Sequence, residues 1–463
     1  MSKSKKFMID TSVIIDNPFN LIKLSEGGKN KIFITETVIE ELDKHKTSLN
    51  DLVAISAREF FRGFNDSSFK KSKLKSKKKG DSIYVVEFKF DKENLEINVI
   101  VRTEYEKETL KSESKNDEKI REVSKTYNLK CITNDISFKF KAMSMGLEAE
   151  SIHWDSIDNF EDINFKFEKT LTEKEFLENK DSIAKELKKW SQLHIHYKDE
   201  KTGAKTGKKE FFIVGDNDLI NITNNNYDKF EIKPLNLEQK FYLHMLESKF
   251  NVLTVSGKTG SGKTLLALQE GMRRVRDKNS DIDGIIYMRF TVNAEDKFSA
   301  LGYRKGGDEQ KLDRFNYPLY SAINFILEKR LKKENQKNEK NLVSIKKNEL
   351  TEKFIKDYNI EFLDISSARG ITIKNKYVIF DEIQNAPNLF IRLIGTRAGE
   401  NSVFVLMGDP GQVDHPHLSK MRNGLITMLK ESMEDKSSYS SGIKLEKTVR
   451  SETSKWFENH IES

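Results

Sequence analysis

The sequence predicts an α/β protein with two open parallel sheets, and three observations support this fold class. A glycine-rich phosphate-binding motif near the middle of the 463-residue chain joins a predicted strand to a predicted helix. Three apolar strand-like segments in the C-terminal half, each followed by a polar loop, indicate the sheet of a P-loop NTPase. In the N-terminal part, short apolar segments end in acidic residues, which places those acids at the carboxyl edge of a second sheet.

The glycine-rich motif spans residues 257–264, GKTGSGKT. Residues 251–255 before it form a predicted buried strand and residues 265–272 after it a predicted helix, as this motif requires. Backbone N–H groups of such a loop, together with the positive end of the helix, attract phosphate. We expect Lys263 to reach the β- and γ-phosphates of ATP and Thr264 to hold Mg²⁺. The predicted nucleotide-binding residues of the loop are Gly257, Lys258, Thr259, Gly260, Ser261, Gly262, Lys263 and Thr264.

Two more strand-like segments predict the acids of the same site. Residues 375–380 lead into Asp381 and Glu382, and residues 402–407 lead into the loop that contains Gln412. We expect Asp381 to orient Mg²⁺ through its water shell, because Mg²⁺ keeps most of its waters. Glu382 is predicted to polarise the attacking water, and Gln412 to sense the γ-phosphate or to position that water.

Composition excludes several classes of protein. No stretch reaches the ~18 apolar residues of a membrane span, and Asp10 interrupts the apolar run near the N-terminus, so neither a membrane protein nor a signal peptide is predicted. The single cysteine, Cys131, excludes an internal disulfide and a cysteine-rich zinc site, which fits a cytoplasmic protein. The net charge of +7 permits nucleic-acid binding without showing it.

Four acidic residues in the N-terminal part lie where predicted elements meet. Asp10 and Asp135 follow the predicted strands 7–9 and 129–133, while Glu41 and Asp117 lie in the first turns of predicted helices. Four carboxylates at one sheet edge repel one another unless a divalent cation neutralises them, and two-metal phosphodiester hydrolysis needs such a set. The alternative is that Asp117 caps a helix and the other acids belong to turns.

Several polar segments are predicted to lie at the surface. Residues 70–79 contain seven lysines and form either a solvated loop or a nucleic-acid contact. Residues 198–209 are predicted to be a loop between two short strands, 194–197 and 211–214. Residues 328–356 are predicted to be a helical, solvent-exposed insertion.

Residues 7–147 resemble the PIN domain family of metal-dependent RNases. The matching stretches are FMIDTSVIID, FITETVIEELDKHK, KNDEKIREVSKTYN and KCITNDISFKFKAMSMGL. The resemblance implies a site that holds Mg²⁺ or Mn²⁺ and cuts RNA. Glu40 leaves a one-residue ambiguity in the second acid, and Asp16 is left out of the site because its position departs from the usual order of acids. The acids that match the family's metal-binding positions are Asp10, Glu41, Asp117 and Asp135.

Residues 234–451 resemble the PhoH-like ATPases, whose core is similar to that of superfamily 1 helicases. The matching stretches include PLNLEQKFYLHML, GKTGSGKT, IIYMRFTV, KNKYVIFDEIQNAP, MGDPGQVDHP, RNGL and LEKTVRS. The resemblance implies a RecA-like P-loop domain in which Gln239 reads the adenine edge. It also implies that Arg450 is an arginine finger, in cis or from a neighbouring subunit, and that Arg289 touches nucleic acid or the nucleotide.

These patterns divide the chain into a PIN-like nuclease domain (residues 1–150), a connecting module (151–233) and a PhoH-like ATPase domain (234–463). We expect an ATP-dependent RNA helicase or motor coupled to a metal-dependent endoribonuclease, acting on single-stranded or partly duplex RNA. One alternative is an ATPase and helicase whose N-terminal domain binds RNA without cutting it. Another is a nucleotide-gated scaffold that moves no strand. We also expect a homo-oligomer, with a hexameric ring as one form.

Overall fold

The computed structural model forms two units, Met1–Trp154 and Asp155–Ser463. No helix among its described residues is both long and apolar enough to cross a membrane. The structure describes residues 4–47, 51–64, 67–74, 83–91, 93–102, 114–152, 156–290, 316–335, 345–363, 370–415, 418–449 and 456.

The first unit contains a seven-stranded sheet in the order β3-β4-β5-β2-β1-β6-β7. Strands β5, β2, β1, β6 and β7 are parallel, as predicted for an open sheet, whereas β3, β4 and β5 form an antiparallel meander. The predicted hairpin of residues 83–90 and 95–102 is confirmed within this meander. The strands are β1 (Lys6–Ile9), β2 (Lys31–Thr35), β3 (Ser68–Leu74), β4 (Ile83–Phe90), β5 (Leu95–Arg102), β6 (Lys130–Ile132) and β7 (Ala149–Glu150).

Among the described residues, six helices pack against this sheet, and three of them begin at the carboxyl end of a parallel strand. The β-strand side chains of Met8, Ile32 and Ile97 are buried in one apolar cluster with residues from these helices. The helices are α1 (Thr11–Asp16), α2 (Asn20–Ser25), α3 (Glu36–His45), α4 (Asp51–Phe64), α5 (Ser114–Tyr127) and α6 (Ile136–Ser144). Helices α1, α3 and α6 directly follow β1, β2 and β6, so Asp10, Asp135 and the start of α3 lie at one edge of the sheet.

The lysine-rich stretch 70–79 is only in part the loop that was predicted. Its first half belongs to β3, which pairs with β4 from Ser68↔Lys89 to Leu74↔Ile83; residues 75–79 lie outside the described residues. Charged side chains do not prevent strand formation here, because the backbone groups of β3 form their hydrogen bonds with β4. Lysines on an edge strand discourage further pairing with other chains.

The second unit begins with a four-stranded sheet in the order β11-β10-β9-β8. Its strands are β8 (Lys166–Leu171), β9 (Gln192–Lys198), β10 (Lys205–Val214) and β11 (Leu219–Asn221), and helix α7 (Glu173–Glu186) packs on them. The prediction of a long loop at 198–209 was wrong, because β9 and β10 extend to within six residues of each other. The lysine side chains remain exposed while the backbone pairs, so polarity alone did not reveal the strands.

The rest of the second unit is built on an entirely parallel six-stranded sheet in the order β14-β13-β15-β16-β12-β17. These strands are apolar and mostly buried, as expected for a parallel sheet covered on both faces. The strands are β12 (Val252–Gly257), β13 (Gly284–Arg289), β14 (Ile360–Phe362), β15 (Lys376–Asp381), β16 (Val403–Gly408) and β17 (Ser440–Leu445). The helices are α8 (Leu237–Glu247), α9 (Lys263–Arg276), α10 (Tyr317–Asn335), α11 (Ile345–Asp357), α12 (Asn388–Gly395) and α13 (Gly424–Glu434).

The predicted insertion at 328–356 is helical, but its two ends are not solvent-exposed excursions. Arg330 on α10 donates to both carboxylate oxygens of Glu231, at 2.8 and 2.9 Å. Phe354 on α11 is only 2% exposed and belongs to the main apolar core. Apolar residues among the lysines face inward, and the overall composition of the segment did not predict this. Residues 336–344 lie outside the described residues.

A glycine in β17 fixes the packing of the small sheet on the six-stranded one, and it gives a prediction. A Cβ on Gly442 would lie 2.2 Å from Cζ of Phe165, so Gly442→Ala must displace that ring. We expect a loss of about 1–3 kcal/mol in the free energy of unfolding, the range found for overpacking. Denaturant unfolding measures this loss. A Cβ on Gly395 meets nothing within 4 Å, so Gly395→Ala is the control. Equal stability of the two variants would contradict the packing argument.

Candidate functional site

The phosphate loop has the backbone geometry that its glycines predict. Gly260 and Gly262 have φ values of +82° and +91°, in the region that favours glycine. A Cβ on Gly257 would lie 2.8 Å from the carbonyl oxygen of Leu445, so no larger residue fits there without a shift. Helix α9 begins at Lys263, and its first N–H groups have no partner within the helix. This cradle therefore fits a phosphate group.

The two loop residues predicted to act on phosphate and metal lie at its end. The Lys263 ammonium donates to the carbonyl oxygens of Gly257 and Lys258, and so it lies within the loop. The Thr264 hydroxyl donates to Oδ2 of Asp381 at 3.2 Å. The Tyr287 hydroxyl donates to the same oxygen at 3.1 Å. A hydroxyl and a carboxylate at this distance are the protein ligands expected for Mg²⁺ beside a bound nucleotide.

Glu382 adopts a strained backbone conformation next to Asp381. Its φ of +58° is unusual for a residue with a side chain, and such strain is often found at functional sites. The side-chain amide of Gln384 donates to Glu382 Oε2 at 2.5 Å, and Arg289 Nη2 lies 3.4 Å from Glu382 Oε1. Burial, followed by the charge of Asp381, raises the pKa of Glu382. A carboxylate with a raised pKa is a stronger base for water.

Gln384 and Asp409 belong to the site, although sequence reasoning did not select them. Gln384 donates to the carbonyl oxygen of Gln412 at 2.9 Å and accepts from the Asp409 N–H at 3.2 Å. Asp409 in turn accepts from the Thr259 N–H at 3.2 Å, and the Thr259 hydroxyl donates to Gln412 Oε1 at 3.3 Å. These bonds connect the ends of β15 and β16 to the phosphate loop. Its position could have identified Asp409 from the sequence, because it directly follows strand β16.

Gln239 and Arg450 were predicted from resemblance and have different outcomes. The Gln239 amide accepts from the Leu235 N–H at 2.7 Å and donates to the carbonyl oxygen of Ser261 at 2.9 Å, so it touches the phosphate loop. Its contact with adenine stays a prediction. Arg450 lies outside the described residues. Its neighbour Val449 donates its N–H to the carbonyl oxygen of Gly260 at 3.0 Å.

In the first unit, Asp10 lies at the end of β1 and is almost fully buried. Its Oδ2 accepts hydrogen bonds from the hydroxyls of Ser12, at 2.5 Å, and Thr133, at 2.7 Å. Burial raises the pKa of Asp10, although both hydroxyls act in the opposite direction. Burying the charged form of this carboxylate costs free energy, and a nearby cation would stabilise that form.

Glu41, rather than Glu40, joins this group. The Thr11 hydroxyl donates to Glu41 Oε2, and the Asn116 amide donates to Glu41 Oε1 at 2.8 Å. Glu40 is exposed on the same helix. The contacts to Thr11 and Asn116 connect Glu41 with the start of α1 and the start of α5, beside Asp10 and Asp117.

The electrostatics of Asp117 indicate that the four acids are neighbours. Burial is the largest cause that raises the pKa of Asp117 to about 6, and the charges of Asp10, Asp135 and Glu41 raise it further. The positive charge of Arg121 acts in the opposite direction. Mutual repulsion of this kind requires the carboxylates to lie near one another.

Asp135 has a structural role in addition to its place beside these acids. Its Oδ1 accepts from the N–H groups of Ser137 and Phe138 at 2.7 and 3.1 Å and so caps α6. A capping role is therefore seen for Asp135, whereas for Asp117, which lies in the first turn of α5, the capping alternative stays a prediction. Within the described residues, no three His, Cys, Asp or Glu side chains already have a metal-binding arrangement. The four carboxylates nonetheless provide the oxygen donors that Mg²⁺ and Mn²⁺ prefer. Asp16, which was left out of the predicted site, accepts from Asn134 Nδ2 at 3.3 Å.

Comparison with known families decides what the second unit is. The family model for PhoH-like proteins matches residues 231–462, which is half of the chain. The chain belongs to the PhoH-like family. A second family model, for the PIN domain, matches residues 7–153. The predicted PIN–PhoH fusion and the α/β fold class of both domains are therefore confirmed.

Curated PhoH relatives extend this result. The chain is 25% identical to Protein PhoH2 of Bacillus subtilis (strain 168) over 449 residues, which cover 91% of this chain and 92% of that protein. It is 20% identical to Protein PhoH2 of Thermobispora bispora over 452 residues, covering 93% and 91%. A PhoH-like protein of Bacillus subtilis is 30% identical over 160 residues, which are 35% of this chain and 43% of that protein. Only the two PhoH2 matches among these three extend across both the PIN and the PhoH-like domain.

The acids of the PIN domain give a prediction about pH. The pKa of Asp117 rises from 3.8 to about 6 on folding, so the folded state binds this proton more tightly than the unfolded state. The resulting stabilisation is present at low pH and is lost as pH rises through about 6. In a chelator, Asp117→Asn should therefore raise the unfolding temperature of the PIN domain most near pH 8, by a smaller amount near pH 5, and little below the unfolded pKa of 3.8. Thermal unfolding of both proteins measures this difference.

The neighbouring exposed acid Glu118 offers the control for this prediction. Glu118→Gln removes the same charge from the same helix outside the cluster, so it should change the unfolding temperature little at either pH. Added Mn²⁺ should stabilise the unmodified protein more than the Asp117→Asn variant. Identical pH profiles for the two variants would show that repulsion at Asp117 is not the cause.

Proposed function

We propose that this PhoH-like protein hydrolyses ATP to move along or unwind RNA, and that its PIN domain cuts RNA with Mg²⁺ or Mn²⁺. The observation that carries the proposal is the hydrogen bond of 3.2 Å from the Thr264 hydroxyl to Asp381, next to the strained Glu382. This arrangement supports a nucleotide-hydrolysing site, because a metal ligand and a basic carboxylate lie next to the phosphate loop.

Each residue of the ATPase site has a separate proposed task. Thr264 and Asp381 would hold Mg²⁺, while Lys263 would leave the loop carbonyls to contact the β- and γ-phosphates. Glu382 would take the proton of the attacking water, and Gln384 holds the Glu382 carboxylate in place. Gln412 would position the water or sense the γ-phosphate. Arg450 would stabilise charge in the transition state, from the same chain or a neighbouring one, if the protein forms the homo-oligomer we predict.

Glu382→Gln tests the ATPase assignment. Glutamine keeps the size of the side chain and removes the base, so ATP turnover should fall by about 10²–10⁴-fold while nucleotide affinity changes little. Turnover is measured by phosphate release and affinity by titration with a fluorescent ATP analogue. The exposed Glu400 pairs with Lys374 at the surface, and Glu400→Gln should keep full turnover. Hydrolysis by Glu382→Gln at the unmodified rate would show that another group activates the water.

The proposed RNase activity rests on the acidic cluster of the PIN domain. Asp10, Glu41, Asp117 and Asp135 would hold the metal, and their mutual repulsion supports this role. Mg²⁺ or Mn²⁺ there would supply a nucleophilic hydroxide and stabilise the leaving oxygen. Two other functions remain as competing proposals: a PIN domain that binds RNA without cutting it, and a nucleotide-gated scaffold that moves no strand. RNA cleavage assays test the first, and ATP-dependent strand displacement tests the second.

Asp10→Asn tests the metal site. The change removes one charge at almost the same size, so metal-dependent cleavage of single-stranded RNA should disappear while ATP turnover is kept. A chelator should have the same effect on the unmodified protein, and Mn²⁺ should reverse it. Asp43→Asn is the control, because Asp43 is an exposed acid on α3 that pairs with Lys46 at 2.6 Å. Continued cutting by the double variant Asp10→Asn, Asp135→Asn would refute the nuclease proposal.

The division of the chain at residues 150 and 233 stays a proposal. The small sheet of residues 166–221 shares a unit with the PhoH-like domain. Phe165 beside it packs against Gly442 of β17. Truncations intended to isolate the ATPase should therefore keep this sheet.

A further inference from the structure

Helix α6 of the PIN domain has an apolar outer face. Ile136, Phe140 and Met143 are 69%, 69% and 54% exposed, and their spacing of four and three residues places them in one stripe along the helix. The inner face is also apolar, since Phe138 and Ala142 are almost fully buried. The outer stripe is therefore not needed for packing within the domain.

This concentration of exposed apolar side chains stands out in the protein. Thirteen large apolar side chains are exposed among the described residues, and four of them lie within residues 136–145. Scattered exposed apolar residues need no explanation, but a contiguous group on a small domain indicates a binding surface.

The position of α6 indicates which ligand this surface takes. The helix begins directly after Asp135, which both caps it and lies beside the other three carboxylates. Lys139 lies next to the stripe on the helix surface and Lys141 lies farther round the helix, and no ion pair of either lysine is found among the described residues. Helix α6 therefore carries an exposed aromatic ring and two cations close to the acidic cluster.

We propose that the outer face of α6 is a stacking surface for unpaired bases of an RNA strand held at the acidic cluster. The inference rests on the proposed RNase function of that cluster. Phe140 would stack with a base, Ile136 and Met143 would contact its neighbours, and the two lysines would attract phosphates. The stripe from Ile136 to Met143 spans about 10 Å along the helix, and a stacked strand rises about 3.4 Å per nucleotide. The stripe is therefore long enough for about three nucleotides.

Charge explains why the PIN domain needs such a surface. RNA is a polyanion, and a cluster of four carboxylates repels it even when a metal ion compensates part of the charge. The attraction that holds the strand must therefore come from outside the cluster. Base stacking on an aromatic side chain does not depend on charge, and it is tolerant of sequence.

A second copy of this chain is a less suitable occupant of the same face. In a two-fold interface the same patch of both copies meets. Two pairs of lysines would then be brought to one apolar interface. An RNA strand instead brings negative charge to both lysines.

Binding of abasic RNA tests the proposal directly. A chelator prevents cleavage, and the affinity of the full-length protein is measured by fluorescence anisotropy for a short single-stranded RNA and for the same backbone without bases. Removing the bases should weaken binding to the unmodified protein by about 5- to 150-fold for each base that stacks. Phe140→Ala should weaken binding of normal RNA and reduce this difference, while Phe140→Trp should keep it.

Leu177 provides a control for the loss of an exposed apolar side chain. It is 73% exposed and lies on α7 in the second unit. Leu177→Ala should leave the affinity for both RNAs unchanged. Equal binding of normal RNA by Phe140→Ala and by the unmodified protein would overturn the proposal. Unchanged RNA affinity together with a smaller oligomer would overturn it too, and would assign the face to a second copy.

The test separates this inference from the nuclease proposal. If the protein never cuts RNA with Mg²⁺ or Mn²⁺ but Phe140→Ala loses the preference for bases, the stacking surface is supported and the cleavage proposal fails. If the protein cuts RNA and Phe140→Ala keeps the KM of the unmodified protein, the stacking surface is refuted and the cleavage proposal stands.

Discussion

Parallel strand pairing is the constraint on which both sites depend. Because all strands of the six-stranded sheet run in one direction, the phosphate loop after β12, Asp381 at the end of β15 and Asp409 after β16 arrive at the same edge. The parallel part of the PIN sheet similarly brings together Asp10 after β1 and Asp135 after β6. Neither site requires its residues to be close in sequence, because the backbone pairing places them.

Both edges concentrate negative charge that the fold alone does not compensate. The pKa of Asp117 is raised to about 6, and the pKa of Glu382 is raised as well, with burial as the main cause in each case. Burying carboxylates side by side costs free energy that a bound cation returns. A cation bound at the sites that we propose would offset this cost in both regions. The ordered hydroxyls around Asp10 and the Gln384 amide at Glu382 hold the carboxylates in position meanwhile.

The fold class, the phosphate loop and most strand positions could be predicted from sequence, because runs of apolar residues and the spacing of glycines can be recognised within a short segment. The left-handed backbone conformation of Glu382 could not be predicted from sequence, because the turn that follows β15 imposes it. Gln384 was missed for a related reason, because its partners Gln412 and Asp409 follow a different strand. In the PIN domain, the preference for Glu41 over Glu40 depends on contacts from Thr11 and Asn116, which lie far apart in sequence. Strand β3 was mistaken for a loop because its many lysines indicated a solvated segment, whereas its backbone forms a strand by pairing with β4.

Asp135 connects the acidic cluster of the PIN domain to the base-stacking face that we propose on α6. One of its carboxylate oxygens accepts from the first N–H groups of α6, while the other has no hydrogen bond among the residues that the structure describes. The capping bonds fix where α6 starts, and the period of the helix then fixes where Ile136, Phe140 and Met143 point. The second oxygen remains available to a metal ion. The distance between the proposed metal site and the proposed base-stacking face is therefore set by a short, rigid segment of backbone, as a strand crossing both would require.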